Sequence, residues 1–428
     1  MSDFKHDKKI LSELAKQVKD VASKPIQSER RENWRKLNSL KMARPMINVN
    51  YFMWWQEVYD DASTLKCIHP YARRAERDLL QALFHDRVGD DTVIEPWITI
   101  RCVYGAPYIN TPDEGDMYYA INTWGLKFSK KEAPIEGGAW AFDPALKELD
   151  DFRKMVEPFH TIDEQKTVEN FAYINEAIGN EIGVVVDRGP MIRTYCGSLL
   201  HDLCKLRGLE QMMMDIYDNP EWLHQVLDFM ERGVHNLHAQ CEKAGDLRLI
   251  NTFNQTMTYC EELPDPSVDT NPVNRKQLWH YYEGQEFEHV SPGDTNEFCI
   301  EYHKKLATEY GMIAYGCCEN LTKKIPYLQS IPNLRIIAVS PWANVSECAE
   351  QIGKEYVMSY RPSPAETLCN GFSKSNFKKY LKQGLRDAGS CNLEINLKDV
   401  LTIRKDVNAL CEWVKVAQEI AHEHGSCR

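Results

Sequence analysis

The chain has 428 residues, 43% of them hydrophobic and 10% aromatic, which is enough apolar material for a large buried core. Its formal net charge is −12 at pH 7, and this acidic balance excludes general binding to a nucleic-acid backbone, which needs clustered Lys and Arg. No apolar stretch approaches the roughly 18 residues of a membrane span, and the charged start MSDFKHDKKILSELAKQV has no signal-peptide core. We therefore expect a cytoplasmic protein with neither nucleic-acid nor membrane partners.

The first 40 residues have helical periodicity, and from residue 44 onward short apolar runs alternate with amphipathic helices. The predicted strands, in chain order, are MINVNYF, DTVIEPWITIRCV, IGVVVDRGP, LRLINTF, MIAYG, LRIIAVS, EYVMSY and CNLEIN. Such alternation is typical of a parallel sheet, and eight units with a terminal helix favour a closed barrel over an open sheet. We predict an α/β fold, with an N-terminal helical extension over residues 1–43 and a TIM (β/α)8 barrel over residues 44–428.

Residues 104–165, after the second predicted strand, interrupt this alternation. They contain GAPYINTPDEGD, TWGLKF and EAPIEGGAWAFDP, which are rich in Gly, Pro and aromatic residues. Because long insertions in compact domains are usually functional, a lid or substrate-binding elaboration is one interpretation. A small packed subdomain without a role in the chemistry is an equally good one.

In a TIM barrel the carboxyl ends of the strands form the active site. The side chains just after the predicted strands are aromatic, polar or thiol-bearing, and they should converge on one mouth. The residues that we expect to bind substrate there are Tyr51, Trp54, Trp55, Asn254, Trp342 and Tyr360. Ordinary core packing is an alternative for each tryptophan. No GxGxxG or GxxxxGK[ST] follows a strand, so the usual phosphate-binding motifs are missing.

The turn Gly316-Cys317-Cys318-Glu319, after the fifth predicted strand, is the strongest candidate for chemistry. Thiolates with carboxylates suit Zn²⁺, which acts as a Lewis acid when one coordination position stays open. Adjacent cysteines do not easily share a metal, so we expect a further ligand, with Glu286 first and His289 second. The alternative is a pair of buried thiols without metal, and disulfides are a minor interpretation. The residues predicted to be catalytic are Cys318, Glu319 and Asp187, and the predicted zinc ligands are Cys318, Cys317 and Glu286.

The segments GQEFEHVSPGDTNEF, IAYGCCENL, NLRIIAVSPWANV and YVMSYRPSPAETL resemble the uroporphyrinogen decarboxylase superfamily, and the resemblance covers roughly residues 44–425. The closer similarity is to its cobamide-dependent methyltransferase branch, which includes methyltransferase I of O-demethylase systems. The resemblance implies a TIM barrel. Decarboxylase members carry an Arg-rich loop after the first strand, whereas this chain has YFMWWQEVYDD there. We therefore do not expect porphyrinogen decarboxylation.

The methyltransferase members place a zinc-binding His-x-Cys at the end of the fifth strand and another Cys near the end of a later strand. Cys318 matches the first cysteine, but Gly316 stands at the position of the histidine. MSYRPSP lacks the later cysteine, and Cys369 is the nearest one. The resemblance therefore implies zinc with a different ligand set that includes an oxygen ligand such as Glu286. A harder site of this kind suits the cleavage of an ether more than the methylation of a thiol.

The first hypothesis is a zinc-dependent methyltransferase that moves a methyl group from an aromatic methyl ether to the cob(I)alamin of a separate corrinoid protein. The rival is a metal-free barrel lyase or decarboxylase that acts on a small carboxylic acid through Asp187, Arg188 and Arg361. A third hypothesis is a non-catalytic corrinoid-binding or scaffold protein. The identity of the methyl donor and the oligomeric state stay open at this point.

Overall fold

The computed structural model describes residues 2–41, 44–50, 54–59, 61–108, 123–127, 129–131, 141–193, 198–250 and 256–426. Its helices are α1 (Ser2–Ala22), α2 (Pro25–Asn38), α3 (Trp55–Val58), α4 (Asp61–Thr64), α5 (Pro70–Val88), α6 (Glu164–Ile178), α7 (Leu199–Arg207), α8 (Leu209–Asp218), α9 (Pro220–Lys243), α10 (Pro292–Thr295), α11 (Glu301–Ala307), α12 (Ile325–Leu328), α13 (Val345–Ile352), α14 (Lys374–Asp387) and α15 (Val407–Ser426). Its strands are β1 (Met46–Val49), β2 (Trp97–Arg101), β3 (Ser129–Lys131), β4 (Ala141–Asp143), β5 (Gly183–Asp187), β6 (Trp279–Tyr282), β7 (Met312–Tyr315), β8 (Leu334–Val339), β9 (Val357–Tyr360) and β10 (Asn392–Leu397).

A parallel sheet with the strand order β1-β10-β9-β8-β7-β6 forms the centre of the fold. β2 and β5 form a second parallel ladder, and β3 and β4 form an antiparallel hairpin. Eight strands within the described residues therefore lie in parallel ladders, which is the number that the sequence predicted. The six-stranded sheet curls as half of a barrel would, with helices packed against it. The mixed α/β architecture is confirmed, and closure into a complete (β/α)8 barrel stays a prediction.

The prediction of a fourth strand over LRLINTF is wrong for the residues of this segment that the structure describes. Residues 247–250 are not in a strand, and the rest of that segment lies outside the described residues. Instead β6 occupies this place in the chain order and pairs in parallel with β7. Its sequence, Trp-His-Tyr-Tyr, shows no apolar alternation because large aromatic side chains fill both of its faces. Aromatic residues favour strands through such packing, so the aromatic run of β6 was the sequence feature that could have predicted this strand.

The N-terminal extension is helical as predicted, and both of its helices are packed. Pro25 begins α2, where a proline costs no helical hydrogen bond. α1 buries Leu11 and Ala15 in a cluster with residues of α5, α6 and β2. α2 inserts Trp34 and Leu37 into the apolar cluster on the inner face of the sheet, where they meet residues of β1, β6 and β7. The extension therefore contributes to the core.

The predicted insertion is described in part. Its hairpin β3–β4 and a 3₁₀ turn at Leu149–Lys154 lie in the described residues. Trp124, Leu146 and Met155 are buried in the main hydrophobic cluster. This portion of the insertion is packed, and the two interpretations of its role stay open.

The surface helices follow the amphipathic pattern expected for a layer around a sheet. In α9, for example, Leu223, Val226, Leu227, Met230 and Val234 are buried at helical spacing. None of the helices in the described ranges is long and apolar enough to cross a membrane.

Candidate active site at the carboxyl ends of the strands

The turn after β7 requires glycine at its first residue. Gly316 has φ +105°, and a Cβ there would lie 2.6 Å from Leu321 Cδ1 and 2.9 Å from Ala338 Cβ. Both the positive φ and the lack of space disfavour any side chain. A histidine at this position, as in the methyltransferase members, therefore does not fit this backbone.

Two buried side chains donate hydrogen bonds to the carbonyl groups of the turn. Arg361, which follows β9 and is 3% exposed, donates to the carbonyl oxygens of Cys317 and of Gly316, the latter at 3.1 Å. The Tyr281 hydroxyl also donates to the Gly316 carbonyl at 3.0 Å. Arg361 therefore links the ends of β7 and β9, and its role is to position the thiol turn.

Glu319 holds the amide groups of the same turn. Its Oε2 accepts the N–H of Cys317 at 2.7 Å, and its Oε1 accepts the N–H of Gly284 at 3.0 Å. The side chain is 2% exposed. Since both oxygens accept backbone N–H groups, the predicted catalytic residue Glu319 fixes the thiol turn to the loop after β6.

The two sulfur atoms of the turn contact each other and the end of β10. Cys317 Sγ and Cys318 Sγ are 3.5 Å apart. Lys398 Nζ lies 3.2 Å from Cys317 Sγ and 3.6 Å from Cys318 Sγ. Cys318 donates to Asp399 Oδ2 at 3.2 Å, and Lys398 pairs with Asp399 at 3.0 Å. We call Cys317, Cys318, Lys398 and Asp399 the thiol cluster.

Sequence reasoning missed Lys398 and Asp399, although they come just one residue after the predicted strand CNLEIN and directly after β10. A residue-by-residue reading of the eighth strand end would have found them, because every barrel strand end faces the same mouth. Asp399 also has φ +57°, a conformation that a non-glycine residue adopts seldom. Its carboxylate contacts Cys318.

The two thiols differ in acidity. The hydrogen bond between Cys317 and Cys318, together with burial, raises the pKa of Cys317 well above the ordinary value of a thiol. The same hydrogen bond, with help from the Lys398 charge, lowers the pKa of Cys318 despite burial. Cys318 is therefore the more acidic thiol of the two, and a thiolate is the form that acts as a nucleophile or a metal ligand.

Two further buried carboxyl groups surround this region. Burial raises the pKa of Glu283 well above its ordinary value, and electrostatic interactions with Cys317 and Glu286 raise this pKa further. Glu394 on β10 is fully buried and accepts from Thr256 Oγ1 at 2.9 Å and from Asn396 Nδ2 at 2.7 Å. Burial raises the pKa of Glu394 to about 7. Neither carboxyl group was among the sequence predictions, since buried carboxyl groups have no sequence pattern.

The predicted ligand Glu286 lies in the loop after β6 and contacts a different partner. Its Oε1 is 3.0 Å from His201 Nδ1, and its buried Oε2 has no hydrogen-bond partner in the described part of the chain. His289, the second candidate, is exposed. Contact with the thiol cluster is shown for neither residue.

The other predicted charged residues form ion pairs within the chain. Asp187 pairs with Arg193 and accepts the N–H of Gly189 at 2.8 Å. Arg188 pairs with Glu164 and Asp246. These contacts place them at the end of β5.

The predicted aromatic substrate residues are dispersed in the structure. Trp54 and Trp55 are buried against Phe84, with ring centroids 5.6 and 5.8 Å apart, which is core packing. Trp342 is 72% exposed after β8. Tyr360 packs against Gly384 of α14, on the helical side of the sheet. The predictions at Tyr51 and Asn254 lie outside the described residues.

The donor atoms of the thiol cluster have the chemistry of a zinc site. With Zn–S bonds of about 2.3 Å, sulfur atoms 3.5 Å apart subtend about 100° at the metal, close to a tetrahedral angle. The adjacency of the cysteines is therefore no obstacle to a shared metal. However, no three or more His, Cys, Asp or Glu side chains of the described residues are arranged around a metal position. The Lys398 ammonium group contacts both sulfurs and Asp399, so the cluster fits zinc only once this cation moves away.

A scan of the chain against models of known protein families finds no match. A search of curated proteins likewise finds none.

Proposed function

We propose that this chain is a zinc-dependent methyltransferase that moves a methyl group from a small methyl ether to the cob(I)alamin of a separate corrinoid protein. The observation that carries the proposal is the thiol cluster after β7 and β10. Two sulfurs in contact, one with a lowered pKa, are suited to a thiolate–zinc site. The resemblance to the cobamide-dependent methyltransferases supplies the reaction type.

Cys317 and Cys318 would hold the zinc, and the predicted oxygen ligand is Glu286. Asp399 is a second candidate for that ligand because its carboxylate already contacts Cys318. Bound zinc supplies a Lewis acid that draws electron density from the ether oxygen, so that the oxygen can leave. Arg361 and Glu319 keep the two sulfurs in place, because they hold the carbonyls and the amides of the turn.

The partner's corrinoid must approach the methyl carbon from the open side of the cluster. We therefore place the docking face of the corrinoid protein over the carboxyl ends of the strands. An aromatic ether is favoured by the resemblance, and Trp342, which follows β8 and is 72% exposed, is an aromatic residue that could contact it. The reaction needs no cobalamin-binding domain within this chain.

The test is a comparison of Cys318→Ala with Cys369→Ala, which removes a partly exposed thiol outside the cluster. We expect the wild type and Cys369→Ala to bind one zinc and to methylate a reduced corrinoid protein with methoxybenzenes as donors. Cys318→Ala should lose both properties. Full methyl transfer with stoichiometric zinc in Cys318→Ala would refute the proposal. Parallel zinc titrations of Asp399→Asn and Glu286→Gln identify the oxygen ligand.

The rival, a metal-free lyase or decarboxylase, depends on three polar residues as substrate contacts. In the structure Asp187 and Arg188 form ion pairs, and Arg361 donates to backbone carbonyls. A substrate carboxylate would have to displace these existing partners, which counts against the rival; the ion pair of Asp187 counts equally against its predicted catalytic role in the methyltransferase. An active enzyme that contains no metal and is unaffected by chelators would favour the rival.

A further inference from the structure

The adjacent thiols have a second capability, which is reaction with each other. We propose that Cys317 and Cys318 form a reversible oxidation site, at which hydrogen peroxide converts them into a disulfide between neighbouring residues. The oxidation site follows from the geometry of the pair, and only its regulatory consequence rests on the proposed function.

The sulfur atoms are in direct contact. They are 3.5 Å apart, and an S–S bond is about 2.05 Å long, so the pair closes with a movement of about 1.5 Å. Cys318 is partly exposed, whereas Cys317 is 8% exposed. Peroxide therefore reaches Cys318 first, and Cys317 is the resolving thiol.

The reaction proceeds in two balanced steps. The sulfur of Cys318 attacks one peroxide oxygen, the O–O bond breaks, and the leaving hydroxide takes the thiol proton as water. Cys318 is now a sulfenic acid, oxidised by two electrons. The sulfur of Cys317 then attacks the Cys318 sulfur, the S–O bond breaks, and the hydroxyl group leaves with the Cys317 proton as a second water.

Of the two charged neighbours, Lys398 favours both steps, whereas Asp399 orients the Cys318 thiol. The Lys398 ammonium group contacts both sulfurs and stabilises the negative charge that passes through them. The Asp399 carboxylate accepts the hydrogen of the Cys318 thiol. These contacts distinguish the pair from an isolated buried cysteine.

The product is easily reduced. Neighbouring Cα atoms are about 3.8 Å apart across a trans peptide, whereas the Cα atoms of common disulfides are about 4.4–6.8 Å apart. The ring is therefore strained, and strained disulfides are the labile ones. If the cluster holds zinc, oxidation removes both sulfur ligands. Because cob(I)alamin persists only under reducing conditions, the enzyme would then lose its metal when its methyl acceptor is also lost.

The test follows the mass of one peptide. Trypsin releases residues 306–323, whose only cysteines are Cys317 and Cys318. The full chain, freed of metal with a chelator, is treated with hydrogen peroxide, and remaining thiols are blocked with N-ethylmaleimide. We expect this peptide to lack two hydrogen atoms and to carry no label, and to recover both after treatment with dithiothreitol.

Cys369 and Cys411, partly exposed like Cys318, are internal controls and should remain labelled at the same peroxide dose. In Cys317→Ser, Cys318 should gain oxygen and form no disulfide. The proposal is overturned if the wild-type peptide gains oxygen while Cys317 stays labelled, or if Cys369 and Cys411 oxidise first. The mass readout involves neither zinc nor methyl transfer, so its failure is distinguishable from failure of the proposed function.

Discussion

Gly316→Ala should destabilise the protein and displace the thiol turn. The new methyl group meets a backbone at φ +105°, a conformation that costs an L-residue about 1–2 kcal/mol. It also meets Leu321 Cδ1 at 2.6 Å and Ala338 Cβ at 2.9 Å, and overpacking of this kind costs about 1–3 kcal/mol. The free energy of unfolding should therefore fall by about 2–5 kcal/mol, measured by urea denaturation.

Gly89→Ala is the matched control, since Gly89 has φ +78° and a Cβ there would meet nothing within 4 Å. This variant carries the backbone cost alone, so we expect a loss of about 1–2 kcal/mol. Equal losses in the two variants would refute the steric argument at Gly316. A Gly316→Ala protein with unchanged stability would also reopen the position to the histidine of the methyltransferase members.

Two further predictions concern Glu394 and Arg361. Burial raises the pKa of Glu394 in the folded chain to about 7 from 4.5, so on a rise in pH the unfolded chain loses this proton first. The contribution of Glu394 to the free energy of unfolding should therefore fall by about 3 kcal/mol as the pH rises from about 4.5 to 7. Urea denaturation across this pH range should show a smaller decline for Glu394→Gln than for the wild type or for the surface control Glu419→Gln, and equal declines would contradict the assignment. The lysine in Arg361→Lys cannot donate to both carbonyl groups of the thiol turn as the guanidinium does. The affinity for zinc should therefore fall about 10-fold or more, as it does when other residues that orient metal ligands are replaced, and competition with a chelator measures it. Lys382→Met, which removes an exposed ion pair with Glu423, should leave the affinity unchanged, and an unchanged affinity in Arg361→Lys would exclude the positioning role.

Periodicity predicted the alternating α/β layout and the helical N-terminus. Strand-end logic singled out the thiol turn, whose role in catalysis stays a prediction. The error at LRLINTF has a physical cause, because the chain uses the aromatic run of β6 instead of a β-branched one. Within the site, Cys317 and Cys318 were found because adjacent cysteines stand out in a sequence. Lys398 and Asp399 could have been selected from their position after the eighth predicted strand, but their contact with the two thiols depends on β10 lying near β7 in the structure.

The roles of Glu319 and Glu286 were also beyond the sequence. Glu319, beside two cysteines, was predicted to be catalytic, yet both of its carboxylate oxygens accept backbone N–H groups. Local sequence cannot show where a carboxylate finds its hydrogen-bond donors. The same holds for Trp54 and Trp55, which have the composition of a substrate cage and the burial of a core.

The helix α2, described above as part of the core, has a consequence for shortened versions of the protein. Trp34 is fully buried, and its Nε1 donates to the carbonyl of Asp91 at 2.7 Å. A chain that starts at residue 44 would expose to solvent the apolar side chains at the amino ends of β1, β6 and β7 that pack against α2. The N-terminal extension that the sequence predicted is therefore required to seal this end of the sheet from solvent.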